Sequence, residues 1–158
     1  MSTPVKPIPE GFHTVTPYLT VKGAVQALEF YQRAFDAKER FRMMGPSGTV
    51  AHAEITIGNS IIMLSDESPY GQSPLSLKGI SVSIVLYVED VDASFKRAID
   101  AGATETLPVQ DKFYGDRSGS LTDPFGHHWH LMTHIEDVSD EEVKQRMAKM
   151  CAQPNASA

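Results

Sequence analysis

One cysteine, Cys151, is all that the 158-residue chain contains, and it stands near the C-terminus. A lone thiol closes no internal disulfide and supplies no cysteine-based zinc site. No stretch approaches the roughly 20 apolar residues of a membrane-spanning helix, so no membrane association is expected. The opening residues, MSTPVKPIPEG, hold three prolines and one lysine and lack the apolar run of a signal peptide. Basic excess is missing too. Lys and Arg number 14 against 20 Asp and Glu, a net charge of −6. Nothing in that balance neutralises a phosphate backbone, so nucleic acid is not expected as a partner. No Gly-rich nucleoside-binding loop follows a strand, which argues against a methyltransferase role. These absences leave a cytoplasmic globular protein, with 41% hydrophobic residues to fill one ordinary domain or two small modules sharing a core.

What the chain does have is repetition. Residues 16–35 read TPYLTVKGAVQALEFYQRAF and residues 83–101 read SIVLYVEDVDASFKRAIDA. At an offset of 67, Leu19 meets Leu86, Val21 meets Val88 and Leu28 meets Phe95; after the helix the register slips by one. Each copy is a β-rich run followed by an amphipathic helix, with Ala24, Leu28, Tyr31 and Phe35 on one face of the first. The first copy predicts strands at 14–21, 38–44, 49–57 and 60–65 and a helix at 24–35. The second predicts strands at 81–88, 103–107, 118–122 and 128–133 and a helix at 91–101. Pro46-Ser47-Gly48, Gly58-Asn59 and the DPFGH run at 123–127 are the turn signals. The order is βαβββ twice. A Pro/Gly/Ser-rich linker, 66–79, joins module one (14–65) to module two (80–134). Ser139 and Glu142 open a short capped helix over 139–150. Residues 1–12 and 151–158 read as loose ends around a single domain, 13–150.

A βαβββ unit of about 60 residues buries little core alone, and its sheet has one face without a helix. Two such sheets side by side create a concave surface, the usual form of a small-molecule site. The segments 17–35, 52–67, 86–103 and 113–134, in this order and spacing, resemble the vicinal oxygen chelate superfamily of glyoxalases, bleomycin-resistance proteins and extradiol dioxygenases, and within it the PhnB-like branch. The resemblance implies an α+β fold of two tandem βαβββ modules forming cupped mixed sheets, usually in a homodimer, with cavities in the cups.

The resemblance also implies where a metal would sit. Metal-using members place one His, Gln or Glu on the first and last strand of each module. Those positions fall here on Thr16, Met63 (or Ile62 if the turn is one shorter), Ser83 and His130. Only His130 is a competent ligand. Glyoxalase chemistry needs the metal to polarise enediolate oxygens and a carboxylate base, so no resident cofactor is expected. A divalent metal is the alternative. It would begin from His128 and His130, which share a strand face with His134, and would recruit His52.

Several residues are expected to line a ligand cavity. His52 and Glu54 alternate out of the 49–57 strand; His52 recurs in the PhnB-like pattern, and with Met63 it would form one wall. Tyr114, Arg117 and His130 would form the other. Tyr114 offers a stacking surface, and Arg117 a bidentate clamp for an anion, unless an ion pair with a neighbour such as Asp116 holds it. Trp129, Phe30, Tyr31 and Phe35 read as core. The expected function is small-molecule binding in a cavity between the modules, in a homodimer, without standard metal chemistry. The alternative is a metal-dependent glyoxalase-type lyase or isomerase.

Overall fold

The computed structural model describes residues 5–152. Module one runs β1 (Tyr18–Val21), α1 (Ala24–Phe35), β2 (Lys38–Met44), β3 (Val50–Ile57) and β4 (Ser60–Asp66). A four-residue helix, α2 (Pro74–Leu77), interrupts the connection. Module two runs β5 (Ser83–Tyr87), α3 (Val91–Ala101), β6 (Thr104–Asp111), β7 (Asp116–Thr122) and β8 (His128–His134), and α4 (Asp140–Cys151) follows. The two four-stranded mixed sheets have the orders β1-β4-β3-β2 and β5-β8-β7-β6. This is the tandem βαβββ fold that the repeat predicts. The pairing repeats with the sequence: Tyr18 faces Met63 across β1 and β4, and Val85 faces His130 across β5 and β8, both 67 residues on.

Besides shifts of a residue or two at strand ends, such as β7 beginning at Asp116, three features differ from the sequence reading. The first strand begins at Tyr18, not residue 14, because Pro17 has no N–H for a ladder; its carbonyl accepts from Met63 N instead. β6 runs through Pro108 to Asp111. It is the outer strand of its sheet, with a register break between Leu107 and Gln110, where a missing N–H costs little. The 66–79 connection is not a plain linker. It carries α2, capped by Ser73 Oγ, and a Ser68–Gly71 bridge. Of the loose ends, residues 1–4 and 153–158 lie outside the described residues.

Each sheet buries alternate residues against the helices. Leu19, Val21, Ala53, Ile55 and Leu64 do so in module one, and Leu121, Trp129 and Leu131 in module two. α1 and α3 pack on one another, which makes the two half-cores one. Tyr31 and Phe35 of α1 reach Trp129 of β8, at 5.6 and 4.5 Å between ring centres. The fully buried Trp129, Tyr31 and Phe30 are the largest contributors, each worth about 1.5–3 kcal/mol of apolar burial.

Buried polar groups fix the seams. Gly23, the N-cap of α1, has a φ of 95° and no side chain to cap with. Asp66 at the end of β4 replaces it. Its Oδ1 accepts from Gly23 N and Ala24 N at 3.0 and 2.8 Å, and its Oδ2 accepts from Val50 N at 2.8 Å. Asp123 gathers a second set of donors in module two. Oδ1 accepts from Phe125 N and His127 N, both at 2.9 Å, and closes the DPFGH turn. Oδ2 accepts from the Tyr31 hydroxyl at 2.8 Å and from Trp129 Nε1 at 2.9 Å. His127 Nε2 lies 3.0 Å from Thr20 O, a second tie between the modules.

Candidate functional site

The helix-free face of each sheet is fixed by register. Across sheet one, Phe41, Glu54, Met63 and Tyr18 stand in one row. Across sheet two, Leu107, Ser120, His130 and Val85 make the corresponding row. These faces lie opposite the core residues Leu64 and Trp129, so their side chains are free for other partners.

The edges β1 and β5 face each other across an open cleft of about 880 Å³. Val15, Tyr18 and Thr20 line one side, and Val82, Ser83 and Val85 the other. Leu77 and Ile80 close it from the connection between modules, and Gln72 and His128 add polar points. The volume is that of a small-molecule pocket, and most of its wall is apolar.

His52 and Met63 stand just behind this cleft. The Tyr18 hydroxyl lies 3.2 Å from His52 Nδ1, Met63 is the register partner of Tyr18, and His52 Nε2 lies 3.5 Å from Glu54 Oε1. Arg40 Nη1 completes this set at 3.6 Å from Glu54. His130 stands behind the other wall. Its Nε2 lies 3.1 Å from Ser83 Oγ, and its Nδ1 2.6 Å from Ser120 Oγ. Sequence reading found the imidazole but not Ser120, a hydroxyl that the sequence does not distinguish from the other serines.

Tyr114 and Arg117 are not brought to the cleft. Tyr114 packs edge-on against Phe113 at 5.2 Å. Arg117 alternates with Asp116 and Ser118, so its side chain leaves β7 on the helix side. There its Nε and Nη2 donate to Asp92 at 2.7 and 2.8 Å, and its Nη1 donates to Asp111 at 2.8 Å. These bonds hold the guanidinium above its ordinary pKa and the Asp92 carboxyl below its own. The expected anion clamp is thus an ion-paired strut between β7 and the first turn of α3, with Asp92 and Asp111, not Asp116, as its partners.

Asp116 belongs to a further set. It is buried, accepts from the Tyr87 hydroxyl at 2.8 Å and lies 2.7 Å from His134 Nδ1. His134 Nε2 is 2.9 Å from Asp137. Hydrogen bonds to Asp137 and then Asp116 raise the His134 pKa, and the bond to Asp116 raises that of Tyr87.

Comparison with known proteins places this arrangement. Residues 11–131 match the model of the glyoxalase/bleomycin resistance protein/dioxygenase superfamily. The chain belongs to that superfamily. An uncharacterized protein of Mycobacterium tuberculosis is 42% identical over 139 residues, 85% of this chain and 82% of the relative. Among solved structures, TioX from Micromonospora sp. ML1 is 29% identical, with a TM-score of 0.61 over 78% of this chain and 99% of its own. The fosfomycin resistance protein FosX from Listeria monocytogenes, 18% identical at a TM-score of 0.59 over 83% and 97% of the two chains, shares the fold.

The superfamily's metal positions can now be tested against their chemistry. Thr16, Met63, Ser83 and His130 offer two hydroxyls, a thioether and one imidazole. Both ring nitrogens of that imidazole already face hydroxyl oxygens. Among the described residues, no three of His, Cys, Asp and Glu converge in a metal-holding group, so His128 and His130 gain no third donor there. The donor set does not fit a catalytic divalent ion.

Proposed function

We propose that the protein binds a small, mainly apolar organic molecule in the cleft between β1 and β5, with no resident metal taking part. The observation that carries this reading is the cleft itself: about 880 Å³, walled by both modules, with apolar side chains interrupted by a few hydroxyls, Gln72 and His128. Tyr18, Thr20 and Ser83 supply the hydrogen bonds that orient the ligand. His52, Met63 and His130 act from behind, fixing the side chains that touch it. Superfamily membership supports a ligand-binding role, and the donor set at Thr16, Met63, Ser83 and His130 speaks against the metal-dependent lyase alternative.

Two copies pair in this reading. Phe41, Met43 and Tyr87 on the sheet faces and Met147 and Met150 on α4 are about half exposed, apolar surface that a second copy would cover. Light scattering at micromolar concentration gives twice the chain mass if this holds and the 17.3 kDa of one chain if it does not.

The binding test uses 8-anilinonaphthalene-1-sulfonate, a fluorescent probe with an apolar body, titrated into the native protein. One saturable site per chain is expected. Val82→Trp, at an exposed position on the cleft wall, fills the cleft without touching the core and weakens the probe at least about tenfold, a loss of about 1.4 kcal/mol. An unchanged titration in Val82→Trp places the probe elsewhere and overturns the reading.

A further inference from the structure

The hydroxyl–imidazole–hydroxyl row on sheet two has the layout of an activated nucleophile. Ser83 lines the cleft, and its Oγ lies 3.1 Å from His130 Nε2; His130 Nδ1 lies 2.6 Å from Oγ of the buried Ser120. Nucleophile, base and an orienting third group within hydrogen-bond reach form the constellation that makes a serine reactive. The geometry points to Ser83 as an acyl-accepting nucleophile, with His130 as its general base and Ser120 as a positioning residue, acting on an ester or other activated acyl compound whose apolar body occupies the cleft. This rests on the cleft being the ligand site.

The geometry around His130 and the repeat support the assignment. The imidazole is held from both sides, so its ring plane is set before a substrate arrives. With the proton on Nδ1 donated to Ser120 Oγ, Nε2 is free to accept from Ser83. The repeat supplies the contrast: the counterparts of Ser83, His130 and Ser120 in module one are Thr16, Met63 and Glu54, which contain no imidazole and no such relay. Module one's own imidazole, His52, lies instead between the Tyr18 phenol and Glu54, so that set offers no serine nucleophile. Gln72 and His128 line the same cleft and are the N–H donors assigned to the developing oxyanion. His128 is the register partner of Ser83, on the same face.

The step balances with water as co-reactant. Ser83 Oγ forms a bond to the acyl carbon, and its proton passes to His130 Nε2. The bond to the leaving oxygen breaks, and that oxygen takes the proton from Nε2. Water then attacks the acyl-serine with His130 again as base, releasing the acid and restoring Ser83.

Diisopropyl fluorophosphate tests this in the full chain, since its reaction forms the Oγ–P bond, breaks P–F and sends the proton to the base. Peptide mass spectrometry is expected to find the adduct on Ser83, absent in Ser83→Ala and slowed at least about 100-fold in His130→Gln. Nitrogen-15 NMR of the native protein is expected to show His130 protonated on Nδ1, moving to Nε2 in Ser120→Ala at an unchanged melting temperature. No adduct on Ser83, equal labelling in a folded His130→Gln, or a native Nε2–H tautomer overturns the assignment. The tautomer decides the matter if His130→Gln does not fold. The two proposals fail separately. Anilinonaphthalene binding by the native protein without a Ser83 adduct overturns acyl transfer alone; no binding by the native protein removes the cleft reading.

Discussion

Replacing Tyr31 with Phe removes one oxygen from the interior and leaves its ring among Phe35, Phe125 and Trp129. That oxygen spans the modules. It belongs to α1, and its hydroxyl donates at 2.8 Å to Asp123 at the end of β7, 92 positions away, where both residues are buried. Asp123, itself buried, is left with three of its four donors. A hydrogen bond to a charged group is worth about 1.5–3 kcal/mol net. At roughly 2–4 °C per kcal/mol for a chain of this size, the melting temperature should fall by about 3–12 °C. Urea unfolding is the direct assay, and the slope should stay constant while the midpoint drops. A cycle with Asp123→Asn isolates the pair. The amide keeps Oδ1 for the turn but sets an N–H₂ against Tyr31 and Trp129, so the two substitutions together should cost less than their sum by about 1 kcal/mol or more. A Tyr31→Phe loss below about 0.5 kcal/mol, the size of an ordinary surface change, would refute the account of Asp123 as the buried stitch between modules.

Other outcomes follow from the same contacts. Burial first, and then the Asp123 charge, raise the Tyr31 phenol well above its ordinary value of 10.0; the unfolded chain therefore releases this proton before the folded one does, so stability falls as pH rises past about 10, and Tyr31→Phe flattens that part of the denaturation profile. His134 is raised from 6.5 by Asp137 and Asp116; its contribution is complete below about pH 6.5 and fades as pH climbs through the raised value, and a thermal scan of His134→Gln against pH should lose this slope. Arg117→Ala should lower the melting temperature by cutting β7 from the first turn of α3 and leave anilinonaphthalene affinity unchanged; weakened probe binding with unaltered melting would return Arg117 to the ligand site. Gly115 has a φ of 100°, and a Cβ there would meet Glu136 O, so Gly115→Ala should destabilise by about 2–4 kcal/mol, read by urea titration.

The fold was legible because its information is periodic. The helices over 24–35 and 91–101 are read to the residue, since an apolar stripe fixes their length and Gly102 ends the second. Strand ends were less legible where a proline decides. Pro17 shortens β1, whereas Pro108 does not stop β6, and only the strand order shows which proline needs a partner for its missing N–H. The caps of α1 were invisible for a related reason. Gly23 carries no capping atom, and the carboxylate that serves is Asp66, 43 positions later.

The site was legible in its residue types and not in its directions. Alternation along a strand places Arg117 and Asp116 on opposite faces, but the sign of that alternation comes from which face meets the helices, and the one apolar side chain of β7, Leu121, lies four residues on from Arg117. His130 was identifiable because a family position and a histidine coincide there. Its partners were not, because serine is common and a hydroxyl gains chemical meaning only from what lies within about 3 Å of it. The repeat contains the rest of the answer. Positions 67 apart share backbone register, so Tyr18 and Val85, and Met63 and His130, occupy equivalent places with different chemistry. A duplicated fold conserves the scaffold twice but needs a site only once. The rows where the copies diverge from one another, not the stripes where they agree, are therefore where the proposed site is placed.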